Sequence, residues 1–183
     1  MLMLEVAKHW TAADLAALPD DGKRYEIVGG ELFMSPAPAW RHQIVVGRLH
    51  VALVPYVETH RIGTAVLAPA NVDVSDDTVV EPDLFVVPLV DGRAPRRWSD
   101  VNRLLLAIEV LSPSTARLDR VVKRKLYQRI GAGEYWIVDP DSALIERWRP
   151  DDERPEVLHE RIEGLPDGAT GPLALHLTAL FAE

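Results

Sequence analysis

Apolar residues recur along this chain with two alternating periods, and the switches between them divide it into elements. Thr11-Ala-Ala-Asp14, followed by Leu15 and Leu18, has the form of a capping box with Asp in place of Glu. It predicts a short helix over 11–18 that Pro19 ends. Tyr25-Glu-Ile-Val28 and Glu31-Leu-Phe-Met34 flank Gly29-Gly30, which predicts a hairpin. From His42 to Leu53 the positions Val45, Val46, Leu49 and Leu53 keep helical spacing, so a core-facing helix is expected, with Pro55 marking its exit.

Ala65-Val-Leu67 and Val72-Asp-Val74 read as strands, and Val79 to Val87 as another that contains Pro82-Asp83. Leu104 to Leu111 is a nearly continuous apolar run suited to a strand buried on both faces. Leu118, Val121, Val122, Leu126 and Ile130 then hold a helical period up to Gly131 and Gly133, which supply a C-terminal stop. Glu134-Tyr-Trp-Ile-Val138 returns as a strand, and Asp139 to Ser142 has turn chemistry. Leu144 to Trp148 and Glu156 to Ile162 are expected to extend the sheet as a meander. This order predicts an α/β fold of the α+β kind, a mixed β-sheet flanked by helices.

With 183 residues and 48% apolar content, one compact domain over 1–183 is expected. No apolar run approaches the roughly 18–20 residues needed to span a bilayer, so no membrane partner is expected. The start, MLMLEVAKHW, lacks a secretory pattern, which makes the cytoplasm the expected location. With no cysteine, a metal would be held by Asp, Glu, His or carbonyl oxygen, and these hard donors favour Mg²⁺ or Mn²⁺. The formal net charge of −8 argues against a protein that coats nucleic acid. Basic residues nevertheless concentrate in one stretch, at Arg93, Arg96, Arg97, Arg103, Arg117, Arg120, Lys123, Arg124, Lys125 and Arg129, against only Asp100, Glu109 and Asp119. The charge pattern alone fits a solvated helix face with an Arg-rich loop, or a phosphate path.

Two carboxylates stand where a buried strand should be apolar. Glu109 interrupts Leu104-Leu-Leu-Ala-Ile-Glu-Val-Leu111, and Asp83 heads Leu84-Phe-Val-Val87 directly after Pro82. Burying an ionised carboxylate without partners costs several kcal/mol, so something must compensate. A salt bridge in the core is one answer. A divalent cation is another, because two carboxylates about 4 Å apart repel by roughly 4 kcal/mol at an effective dielectric near 20. Carboxylates from two neighbouring strands would leave coordination positions for water and a phosphate oxygen.

Pro82-Asp83 followed by Ala107-Ile-Glu109-Val is similar to the PD-(D/E)xK signature of the restriction-endonuclease-like nucleases, although the position two residues after the glutamate is Leu111 and not lysine. Three ordered runs, Glu109-Val-Leu-Ser-Pro-Ser-Thr115, Asp119-Arg-Val-Val-Lys123-Arg-Lys-Leu-Tyr127 and Gly133-Glu-Tyr-Trp-Ile-Val-Asp-Pro140, resemble the Uma-two family of restriction-endonuclease-like proteins. Tyr25 to Leu32 resembles its N-terminal hairpin, and His42 its first core-helix entry. The resemblance implies a restriction-endonuclease-like fold and Mg²⁺-dependent cleavage of DNA. It implies Asp83 and Glu109 as metal ligands, the Val110 carbonyl as a third donor, and Lys123 as a catalytic lysine moved to the following helix. Helical spacing alone leaves Lys125 open as well, since it lies nearer the middle of the apolar arc.

Further candidates for the site are Glu31, Glu26, His42 and Tyr127, and for DNA contact Arg117, Arg120 and Arg124. Tyr135 and Trp136 are expected to pack the core. A nuclease that cuts two strands benefits from two sites, so a homodimer is a further expectation. A nuclease fold that binds without chemistry and a metal-dependent hydrolase of small phosphate esters are the rival readings, the first prompted by the displaced lysine.

Overall fold

The computed structural model describes residues 8–97, 100–101, 103–164 and 166–182. Helix α1 (Ala12–Ala16) opens with the expected capping box: the Thr11 hydroxyl accepts from the Asp14 N–H, and the Asp14 carboxylate accepts from the Thr11 N–H. Strands β1 (Arg24–Val28) and β2 (Glu31–Ser35) form the predicted antiparallel hairpin. Gly29 and Gly30, with φ of 60° and 80°, supply the left-handed pair that a two-residue turn needs. Helix α2 (Trp40–Thr59) runs through Pro55 rather than ending there. Pro55 is exposed, so its missing N–H falls on the solvent side of the helix. Buried Val57 and the Tyr56 hydroxyl, which donates to the Gly171 carbonyl at 2.7 Å, hold the last turn in place.

The run expected as one strand from Val79 to Val87 is two. β5 (Thr78–Val80) joins β1, β2 and β4 (Val72–Ser75) in a four-stranded sheet ordered β2-β1-β5-β4. β6 (Leu84–Pro88) pairs instead with β3 (Gly63–Leu67) and β7 (Leu106–Val110). The break falls at Glu81-Pro82-Asp83, where proline withholds a ladder donor and the chain changes sheets.

After β7 comes helix α3, a π-helical segment Leu118–Lys123 continued by the α-helical Arg124–Arg129. β8 (Glu134–Asp139) lies parallel to β7, and β9 (Leu144–Trp148) and β10 (Glu156–Leu158) complete a mixed six-stranded sheet ordered β10-β9-β8-β7-β6-β3. The expected strand Glu156 to Ile162 is also divided. β11 (Arg161–Gly164) leaves the meander to pair with β12 (Leu173–His176), which leads into the short helix α4 (Leu177–Leu180).

The six-stranded sheet is covered on both faces, which explains why β6 and, apart from Glu109, β7 are apolar on both faces. Val45, Leu49, Leu53 and Val57 of α2 pack with Leu84, Val86, Ile108, Val110 and Trp136. Residues of the opposite parity, Phe85, Ala107, Tyr135 and Ile137, pack with Leu126 and Tyr127 of α3. Tyr135 and Trp136 are both core, on opposite faces. Each fully buried aliphatic or aromatic side chain is worth about 1.5–3 kcal/mol, so these two layers fix where the ends of β6 and β7 lie.

Candidate active site

The pairing of Leu84 with Ile108 places Asp83 and Glu109 at the next step of the same ladder; Glu109 reaches α3, whereas Asp83 is held from β1, α2 and the β7 backbone. Both are buried. Asp83 is enclosed by donors: Arg24 Nη1 reaches Oδ1 at 2.8 Å, while His42 Nε2 at 3.1 Å and the Val110 N–H at 2.9 Å reach Oδ2. Burial pushes this carboxyl up, but the His42 hydrogen bond and the Arg24 guanidinium outweigh it and hold the group down at about 2. Asp83 is therefore ionised and acceptor-only, so His42 must donate from Nε2.

Glu109 has the opposite balance. Lys123 Nζ reaches its Oε1 at 2.8 Å, and the Tyr127 hydroxyl donates to the same oxygen at 3.2 Å. Burial nevertheless raises the carboxyl well above the usual range, Lys123 offsets only part of that, and Asp119, Asp83 and Glu26 push it further up. Asp119, also buried, is raised to about 6 by burial against the pull of Lys123 and Thr115.

Lys123 is 2% exposed and is clamped by carboxylates, with Glu26 Oε2 at 2.7 Å, Glu109 Oε1 at 2.8 Å and Asp119 Oδ1 at 3.8 Å. Burial works against its charge, yet these three neighbours shift it upward, so the ammonium keeps its proton. The ammonium thus stays charged while burial disfavours ionisation of Glu109 and Asp119 beside it. Glu26 Oε1 also accepts from the Glu81 N–H at 2.7 Å, and Glu81 pairs with Arg24 Nε at 2.6 Å. Glu26, Asp83, Glu109 and Asp119 thus line a cleft of about 180 Å³ together with Arg24, His42 and Lys123, and Glu81 adjoins it through Arg24.

The π-helical segment explains why Lys123 and not Lys125 arrives here. The Arg124 N–H bonds to the Asp119 carbonyl, five residues back, which widens the turn and shifts the helix phase. Asp119 and Lys123 become buried, while Val121, a member of the apolar arc, is 45% exposed. Lys125 is exposed on the outside of the helix.

Of the other sequence candidates, Glu26, His42 and Tyr127 are at the site. Glu31 is not: it is exposed and pairs with Val28 at the turn end of the hairpin, two ladder steps beyond Glu26. The basic stretch does not form one track. Arg120 is tied to Asp139 at 3.0 Å and Glu146 at 2.8 Å, Arg124 lies over the Trp148 ring, Arg103 pairs with Asp167 at 2.8 Å, and Arg117 is exposed. Arg24, Glu81 and Asp119 escaped the sequence reading as members of the site. The signal for Arg24 was present, because alternation along Arg24-Tyr25-Glu26 puts two charged residues on one face of a half-buried strand.

A family model described as "Uma2: Putative restriction endonuclease" matches residues 12–180. Among solved structures, the chain is similar to "a putative nuclease belonging to DUF820" from Anabaena variabilis ATCC 29413, with a TM-score of 0.76 and 23% identity, covering 94% of this chain and 98% of that one. This likeness shows the mixed-sheet fold. No curated protein matches, and among the described residues no helix is long and apolar enough to cross a membrane.

Proposed function

The chain belongs to the Uma2 family, and from that premise we propose that it is an endonuclease that hydrolyses DNA phosphodiester bonds with the help of Mg²⁺ or Mn²⁺. The observation that carries the proposal is the buried pair Asp83 and Glu109, opposite one another on adjacent strands, with Lys123 2.8 Å from Glu109.

The residues fit a divalent cation in charge and in donor chemistry. The cluster holds more carboxylates than cations, and Glu109 and Asp119 resist ionisation chiefly because they are buried, with neighbouring carboxylates adding to the effect. Among the described residues no group of three or more His, Asp or Glu is laid out to hold a metal. The hard oxygen donors of Asp83, Glu109 and Val110 are of the kind Mg²⁺ takes, since it keeps several waters and uses one or two protein carboxylates with substrate phosphate oxygens. Asp83, Glu109 and the Val110 carbonyl would hold it. When bound, the cation would supply charge for the phosphoryl oxygens and lower the pKa of a bound water.

The chain's own residues have distinct tasks in this reading. Arg24 and His42 fix Asp83 in its ionised form, and the Val110 N–H locks its orientation. Lys123 would release Glu109, keep its proton, and offset negative charge that grows on the phosphate in the transition state. Tyr127 and Glu26 hold the lysine side of the cleft. The test is cleavage of supercoiled plasmid, single-stranded and branched DNA by the purified chain with Mg²⁺ or Mn²⁺. Cleavage abolished by a chelator and reduced about 100-fold or more in Glu109→Gln is expected, the scale of losing one electrostatic contact to the transition state. Undiminished cleavage in that variant, or failure to bind either metal, overturns the reading.

A further inference from the structure

The first turn of α2 also lines the cleft, through Ala39 and His42. It is a 20-residue helix whose N-cap, Ala39, has no side-chain acceptor, and its first turn contains no acidic residue. Among the described residues nothing accepts from the N–H groups of Trp40, Arg41 and His42; the first N–H with a partner is that of Gln43, to the Ala39 carbonyl at 3.2 Å. A long helix with open N–H groups at its start attracts anions through those donors and through the summed peptide dipole.

A second observation is independent of the helix end. His42 is 7% exposed, and its Nε2 is spent on Asp83. Nδ1, on the backbone side of the ring, is buried without a hydrogen-bond partner among the described residues. A neutral ring would accept at Nδ1 and an imidazolium would donate there, and in either state leaving this buried atom without a partner is costly. A water hydrogen-bonded to Nδ1 that donates to an anion at the helix start satisfies both. The neighbouring Asp83 charge does not forbid an anion there, because Arg24, His42 and Val110 already neutralise and hydrogen-bond it.

We propose that the uncapped start of α2 is the seat of one phosphate of the nucleic-acid backbone. Its oxygens accept from the N–H groups of Trp40, Arg41 and His42, and His42 Nδ1 positions a bridging water. The inference rests on the nuclease reading for its ligand and specifies where a substrate phosphate outside the metal pair is held.

The experiment uses the whole ¹⁵N-labelled chain in a chelator, titrated with the dinucleotide TpT, which carries a single diester phosphate, and separately with inorganic phosphate. Saturable shifts centred on the amide signals of Trp40, Arg41 and His42 are expected with both. Ala39→Asp places a carboxylate where the phosphate would sit. It should raise the melting temperature as a new N-cap and weaken TpT about tenfold or more, the equivalent of a lost charge-assisted hydrogen bond. His42→Ala should weaken TpT, and Ala39→Gly, which leaves the N–H groups open, should bind as the parent does. Saturable shifts centred elsewhere, or equal affinity in Ala39→Asp and the parent, overturn the proposal. Cleavage is read separately. A chain that binds TpT at α2 but cuts no DNA with either metal retains the seat and loses the nuclease reading; one that cuts DNA while these amides stay still retains the nuclease reading and loses the seat.

Discussion

Replacing Lys123 by Met removes the positive centre of the cleft while keeping most of the side-chain volume. The ammonium lies 2.7 Å from Glu26, 2.8 Å from Glu109 and 3.8 Å from Asp119. At an effective dielectric near 20, pairs at these separations are worth about 4–6 kcal/mol each before the cost of desolvating the ions. Desolvation cancels much of this, and removing one member of a buried ion pair leaves a net loss of about 3–5 kcal/mol. With a urea m-value of about 2 kcal/mol/M, the unfolding midpoint at pH 8 should fall by about 1.5–2.5 M. The pH dependence gives the sharper test. Burial already raises Glu109 and Asp119 above their unfolded values, and without the opposing pull of the lysine they rise further. Groups shifted that way favour the folded state at low pH and lose that contribution as pH rises through the folded value. The deficit should therefore be largest at pH 8 and shrink toward pH 5. Mn²⁺ should raise the midpoint of the variant more than that of the parent, since a cation would replace the missing charge. A midpoint shift below about 0.5 M at pH 8, which is about 1 kcal/mol, or a deficit that grows on acidification, would refute the reasoning.

Two further predictions follow from the same helix. Asp119 is raised from 3.8 to about 6 with burial as the largest cause, so its ionisation should cost the folded protein up to about 3 kcal/mol between pH 4 and pH 7. Asp119→Asn cannot ionise, and its stability relative to the parent should improve across that interval; urea midpoints that run parallel from pH 4 to pH 7 would assign the titration to another group. Val121 is 45% exposed, so Val121→Lys should change stability by no more than about 0.5 kcal/mol. A loss of several kcal/mol in thermal or urea unfolding would mean that the helix has the regular α phase after all.

The parts of this molecule that were legible in the sequence are those where local pattern and tertiary packing agree. The hairpin was legible because glycine is suited to its turn, and β7 because one acid in a buried run has few explanations. Pattern failed where the backbone departs from its ordinary period. Over Leu118–Lys123 the sequence spacing argues for an inward Val121 and a marginal Lys123, whereas i→i+5 bonding reverses their environments. Pro55 reads as a helix stop because the local cost of proline is visible, while the compensating contacts of Tyr56 and Val57 are distant in sequence. Arg24 escaped for a related reason. Its partners Glu81 and Asp83 lie more than fifty residues away, on either side of Pro82 at the switch between sheets.

The basic residues show how charge can be misread when its partners are out of view. A run that looks like a phosphate path is partly broken up by pairing: Arg120 serves Asp139 and Glu146, Arg103 serves Asp167 and Lys123 turns inward to the carboxylates, while Arg117 and Lys125 stay exposed. On the nuclease reading, a chain with a net charge of −8 would gain little from long-range attraction to DNA. Substrate affinity would then depend on short-range donors inside the cleft, and the open N–H groups of α2 are of that kind. They carry no formal charge, leave the net charge of −8 unchanged, and select a phosphate by geometry instead of by field.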